Sequence, residues 1–109
     1  MATTQKNLSL LGKYVLIRTT GAGVHAGVLE AKDRDEVTLS DARRIWSWDT
    51  SSDTVKAMTL SDVSRVGCGS KARVSGALTT LIVINGVHEC IECTPGGEKA
   101  IRGAAVWDK

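Results

Sequence analysis

The sequence predicts a small, mainly β domain: an antiparallel barrel with one short helix. Three observations carry that expectation. Apolar and polar side chains alternate with period two over several stretches, the signature of strands that bury one face. The dipeptide Asn85-Gly86 stands between two apolar runs, where it suits a type I′ hairpin because both positions tolerate positive φ. A chain of 109 residues, 42% apolar and 24% charged, has enough apolar surface for one modest core and too little length for two.

The elements follow in order. Residues 1–11 form an N-terminal arm. In Lys13 to Thr19 nearly every side chain is apolar, β-branched or aromatic, as in a strand covered on much of both faces. Gly21-Ala22-Gly23 breaks it. Val24 to Leu29 alternates again as a second strand, with Gly27 at a bend or a close backbone approach. A polar turn at Asp33-Arg34-Asp35 leads into a third strand, Glu36 to Leu39. Ser40-Asp41-Ala42 interrupts the alternation, and the chain resumes at Arg43. Asp53 is placed to cap a short helix from Thr54 to about Leu60, with Val55 and Met58 on its inner side. Residues 64–76, with three glycines, predict a long loop. Two strands, Ala77 to Ile84 and Val87 to Cys93, flank the hairpin. Pro95-Gly96-Gly97 ends the last one, and residues 98–109 form a tail that docks through Ile101, Val106 and Trp107. Such a meander closes most simply as one SH3-like or Sm-like barrel spanning residues 1–109.

Composition excludes several classes of function. Fourteen Lys and Arg oppose twelve Asp and Glu, and the excess is dispersed: seven basic and five acidic residues in 1–48, seven of each in 49–109. Without a polybasic arm, strong non-specific duplex binding has no electrostatic basis. The N-terminus lacks the apolar run of a secretory signal. The longest apolar run, Leu81 to Ile84, falls far short of the roughly 20 residues a membrane span needs, so no membrane partner is expected. Cys68, Cys90 and Cys93 are odd in number and are expected as reduced thiols inside a cell.

His88, Cys90 and Cys93 are zinc-compatible, yet on a regular strand Cys90 and Cys93 point to opposite faces, so no metal site is expected. No histidine is placed by sequence beside a nucleophile, and no G-x-S-x-G elbow exists, so no catalytic residues and no cofactor are expected. The G-x-G of Gly21-Ala22-Gly23 joins strand to strand and lacks the helix of a dinucleotide fingerprint. It is a turn, or a wall of backbone amides beside His25.

Arg43-Arg44-Ile45-Trp46-Ser47-Trp48 is the most unusual segment. Extended, it sets Arg44, Trp46 and Trp48 on one face and Arg43, Ile45 and Ser47 on the other. Guanidinium groups bind phosphate or carboxylate in bidentate fashion and indoles stack on planar groups. The expected ligand-binding set is therefore Arg18, His25, Arg43, Arg44, Trp46 and Trp48. The competing reading has the indoles covering a core that lacks Phe, with arginines stacked on them or paired to Asp41 and Asp49.

Two resemblances attach to particular residues. Gly12 to Ala42 resembles the first motif of Sm-like RNA-binding proteins, and Ile101-Arg102-Gly103 is similar to their second; this resemblance implies oligomeric rings and RNA contacts at Asp41 and Arg102. AGVHAGVL at 22–29, ARRIWSW at 42–48, IECT at 91–94 and VW at 106–107 resemble a family of small proteins of tailed bacteriophages and prophages. That family has no established activity, and the resemblance implies a viral origin. Together these readings predict a non-catalytic, phage-encoded module in the host cytoplasm. It would self-associate and hold a nucleotide or a short single-stranded nucleic acid on its Arg/Trp face. The rival expectation is a virion component, such as a capsid accessory protein, that docks on other phage proteins or subunits through the same face.

Overall fold

A computed structural model of the chain describes residues 10–48, 59–69 and 72–107. Among the described residues six strands and two helices follow in order: β1 (Tyr14–Thr19), β2 (Val24–Asp33), β3 (Glu36–Ser47), α1 (Leu60–Val66), β4 (Arg73–Val74), β5 (Ile82–Ile84), β6 (Val87–Glu92) and α2 (Pro95–Arg102). The strands make one antiparallel sheet in the order β4-β3-β2-β1-β6, with β5 also paired to β3. The mainly β, barrel-like class expected from the alternation is the one observed, although the sheet does not close.

The long third strand explains the curl. Ser40-Asp41-Ala42 does not end it; Asp41 takes φ 52° and the β2–β3 register shifts there, a bulge that bends the strand without cutting it. Gly27 faces this bulge, where a Cβ would lie 2.9 Å from the Ser40 carbonyl oxygen, so the close approach expected at that glycine is present. Below the bulge β3 pairs with β5 through Val37 to Leu39, and above it with β4 through Ile45 and Ser47.

Asn85-Gly86 does not make the expected hairpin. It turns the chain, with Gly86 at φ 75°, but β5 lies on β3 and β6 on β1, at opposite edges of the sheet. A two-residue link spans those edges only because the sheet curls until they approach. The Val87 N–H donates to the Asp35 carbonyl at 3.0 Å, and the Thr20 N–H donates to that of Gly86 at 3.0 Å. Local turn chemistry set the reversal, and the unpaired edges of β1 and β3 decided the partners.

The expected strand from Ala77 shrinks to Ile82–Ile84, the Leu78 N–H donating instead to the Ala42 carbonyl. The helix expected over 54–60 lies, except for its last two residues, outside the described residues. The helix observed there begins at Leu60 with Thr59 as its cap, and Thr59 and Asp62 form a reciprocal capping box. It runs to Val66, so the loop expected over 64–76 is interrupted by helix at its start and by β4 near its end. The expected tail holds a second helix: Thr94 caps α2 and Pro95 occupies its first turn, where a missing N–H costs nothing. Among the described residues there are thus two short helices, neither at the span expected from the sequence.

Both helices cover one face of the sheet. There Tyr14, Leu16, Ala26, Ile45 and Val74 pack against Leu60 and Val63 of α1, Ile101 of α2, and the thiols of Cys68 and Cys93. On the opposite face, inside the curl, Val15, Ile17, Leu29, Val37, Leu39, Ala42 and Ile84 pack together. Among the described residues no helix is long and apolar enough to cross a membrane.

Candidate functional site

The parity of β3 separates the two adjacent arginines. Arg43 pairs with Ala26 on the helix side, and Arg44 pairs with His25 on the other. Arg43 is only 4% exposed. Its Nε donates to the Ser75 carbonyl at 2.7 Å, and its Nη1 to those of Ile101 at 2.7 Å and Arg102 at 3.3 Å. It caps the C-terminus of α2 with a cation, where orphan carbonyls and the helix dipole both favour one. With Nε and Nη1 spent on carbonyls, Arg43 still lines the hollow beside His25 and Arg44, but as a side chain anchored to the main chain and with only Nη2 unpartnered among the described residues.

Arg18 and Trp48 leave the expected site. Arg18 stands opposite Val24, which stands opposite Ile45, so it points to the face away from Arg44; it pairs across to Glu89 at 3.0 Å. Trp48 follows the last residue of β3, so the strand parity no longer governs it. It is half-buried against the helix-side cluster.

His25, Arg44 and Trp46 are brought together. Ser75 holds the Arg44 backbone from both sides, its hydroxyl accepting from the Arg44 N–H at 2.8 Å and its own N–H donating to the Arg44 carbonyl at 2.8 Å. The Arg44 Nε donates to His25 Nε2 at 3.4 Å. Burial, reinforced by the Arg44 charge, lowers the His25 pKa to about 4, so the ring is neutral near pH 7. A neutral imidazole that accepts at Nε2 carries its proton on Nδ1. That Nδ1–H is buried with no acceptor among the described residues, in a residue only 2% exposed. The terminal nitrogens of Arg44 likewise meet no carboxylate among the described residues.

Trp46 is 53% exposed, and its partner is Trp107 from the C-terminal segment, at 5.6 Å between centroids in an edge-on arrangement. The Trp107 N–H of the main chain donates to the Val74 carbonyl, which fixes the segment to β4. Arg73 stacks its guanidinium 4.9 Å from the centre of the Trp107 ring. Sequence reasoning missed Arg73, Ser75 and Leu78 here, because they arrive from a segment whose pairing no local pattern announces. Trp107 was expected as a docking residue, and it docks; Ile101 is buried as expected, whereas Val106 is exposed.

Arg44 and Trp46 divide two open hollows. One, of about 270 Å³, is walled by His25, Ala42, Arg43, Ser75, Leu78 and Ile82. The other, of about 310 Å³, is walled by the Gly21-Ala22-Gly23 turn with Val24 and Ile45. The arrangement offers stacking surface, one unpaired guanidinium and one buried unpartnered donor within a single surface region.

The remaining reactive groups are elsewhere. Burial, helped by Glu98 and Glu92, pushes the Cys93 thiol up to about 12, and burial raises Cys68 and Cys90 as well, so the thiols are protonated near neutral pH. All three are free, and Cys90 and Cys93 sit in the two different clusters, as strand parity predicted. Among the described residues no three of His, Cys, Asp and Glu gather to hold a metal ion. Asp41 and Arg102 face each other at 3.5 Å at the surface, with Arg102 also held by Glu98 and stacked on Tyr14.

The model of a protein family, described as a domain of unknown function (DUF6948), matches residues 12–101. The chain belongs to the DUF6948 family. The matched span of this DUF6948 domain runs from just before β1 to the penultimate residue of α2. It includes His25, Arg44, Trp46 and Arg73 and stops short of Trp107. No curated protein and no solved structure matches the chain.

Proposed function

We propose that this DUF6948 domain is a non-catalytic, phage-encoded binding module that self-associates and holds an anionic planar ligand, a nucleotide or a short single strand, at His25, Arg44 and Trp46, with Arg73 and Trp107 beside them. The observation that carries this reading is the Arg44 guanidinium, held by His25 with its main chain fixed by Ser75, and left without a counter-ion among the described residues beside a half-exposed indole. An unpaired guanidinium next to an aromatic face suits a phosphate and a base together. The unpartnered His25 Nδ1–H supplies a donor for a ligand oxygen or a bridging water.

A second reading rests on the same rim. Leu78, Val106 and Trp107 expose apolar surface around Trp46, as protein interfaces do, and this favours a virion component seated on other subunits. Titration calorimetry with ribonucleotides and a short single strand separates the two. The ligand reading expects binding that weakens with salt and is lost in the Arg44→Ala, Trp46→Ala double variant, with the domain absent from purified virions. Many copies in purified virions, together with no nucleotide binding, would establish the rival. Light scattering of the purified domain at increasing concentration tests self-association.

A further inference from the structure

We infer that the Gly21-Ala22-Gly23 turn is an anion subsite that works with Arg44, so that the site takes a nucleoside phosphate with its terminal phosphoryl group on the turn and its base against Trp46. This rests on the ligand reading above and names the part of the ligand that each hollow receives.

The turn is stapled from below. Thr19 donates its hydroxyl to the Gly23 carbonyl at 2.9 Å and accepts the Ala22 N–H at 2.8 Å, while the Thr19 N–H also donates to Gly23. Ala22 packs its methyl group on the core inside the curl. One amide of the three is consumed. The N–H groups of Gly21 and Gly23 have no acceptor among the described residues. A Cβ at either glycine would meet nothing within 4 Å, so the main chain there is bare and open to an approaching group. Gly23, at φ 84°, holds a conformation that other residues adopt only under strain.

A short turn that presents unpaired amides is a concave anion binder, because each N–H brings a fixed partial positive charge that needs no reorganisation. Here it shares a hollow with the Arg44 guanidinium, which also lines the neighbouring hollow. The turn side offers amides and charge. The His25 side offers Ala42, Leu78, Ile82 and the Trp46 ring, and its second guanidinium, Arg43, turns its Nε and Nη1 to main-chain carbonyls, so this side suits a base better than a phosphate. The division of chemistry across Arg44 and Trp46 matches a ligand with an anionic end and a planar apolar end.

The test uses the full chain with the four ribonucleoside 5′-monophosphates, the matching nucleosides, inorganic phosphate, and a short single strand lacking a terminal phosphate. Gly21→Asp places a carboxylate in the subsite, at a position with open space and ordinary φ; Gly21→Ala is the control, and thermal melting confirms that both variants fold. The expected result is a loss of about tenfold or more in monophosphate affinity for Gly21→Asp, with nucleoside affinity unchanged. On the unaltered protein, inorganic phosphate should compete with monophosphates and leave nucleosides bound. Equal wild-type affinity for nucleosides and monophosphates, or monophosphate binding indifferent to Gly21→Asp, overturns the subsite and leaves the ligand reading standing. A strand without terminal phosphate that binds more tightly than every mononucleotide overturns the assignment of the turn to a terminal phosphoryl group. If nothing in the set binds the unaltered protein, the ligand reading itself fails and takes the subsite with it.

Discussion

Replacing Arg43 and Arg44 one at a time by methionine should have opposite consequences, although the two residues are adjacent and identical. Arg43 makes two hydrogen bonds of 2.7 Å and one of 3.3 Å to main-chain carbonyls, while almost wholly buried. A hydrogen bond from a charged donor contributes about 1.5–3 kcal/mol, and a buried carbonyl left without its donor costs about 1–3 kcal/mol. Methionine keeps most of the stem's volume, so the loss is set by the three broken bonds more than by a cavity: the Ser75 and Arg102 carbonyls lose the Arg43 donor, while that of Ile101 keeps the Ala104 N–H. Removing the buried cation also relieves its own desolvation, which offsets part of the total. The balance is a destabilisation of about 3 kcal/mol, a large share of the roughly 5–15 kcal/mol that holds a domain of this size. Arg44 is exposed and makes one long side-chain contact, so Arg44→Met should change stability by less than about 0.5 kcal/mol. Urea unfolding followed by tryptophan fluorescence measures both. Ligand titration of the folded variants should reverse the order, with Arg44→Met losing affinity and Arg43→Met keeping it. If Arg43→Met unfolds at the wild-type urea concentration, or Arg44→Met proves equally destabilised, the assignment of the two guanidiniums to different faces is wrong.

Two other outcomes follow from named atoms. The His25 pKa in the fold, about 4, lies below its ordinary 6.5, so the unfolded chain takes up a proton first as pH falls. Stability contributed by the neutral ring is therefore complete above pH 6.5 and is lost between there and pH 4, by up to roughly 3 kcal/mol. Urea midpoints across that window should fall more steeply for wild type than for His25→Gln, and parallel curves would show that His25 is not held neutral by the fold. Gly97→Ala would bring a Cβ within 2.0 Å of the Ser64 carbonyl oxygen where α2 meets α1, a main-chain clash that forces the helices apart. A loss of about 1–3 kcal/mol is expected in thermal or urea melts, and a variant as stable as wild type would contradict this helix contact.

Period-two patterning made β1, β2 and most of β3 legible, because a strand with one buried face must alternate whatever surrounds it. The same parity placed Arg43 and Arg44 on different faces before any fold was known. It could not say which face would be covered. That depended on α2, which was hidden because Pro95-Gly96-Gly97 looks like a chain break. In the fold Pro95 starts a helix, and Gly97 lies where only a hydrogen atom fits against Ser64. Trp48 was misplaced for a related reason: alternation holds only while the strand lasts, and β3 ends one residue earlier.

What this chain's sequence determined alone was the mainly β class, the close approach at Gly27 and the pairing of a guanidinium face with an indole. These follow from side-chain period and backbone sterics, which act over a few residues. The tertiary structure alone decided that Asn85-Gly86 would bridge two sheet edges, that Arg43 would be consumed as a helix cap, and that Trp107 and Arg73 would join Trp46. Each of those outcomes is a choice of partner between segments distant in sequence, settled by which hydrogen-bonding edge and which apolar face remained free once the neighbouring elements had packed.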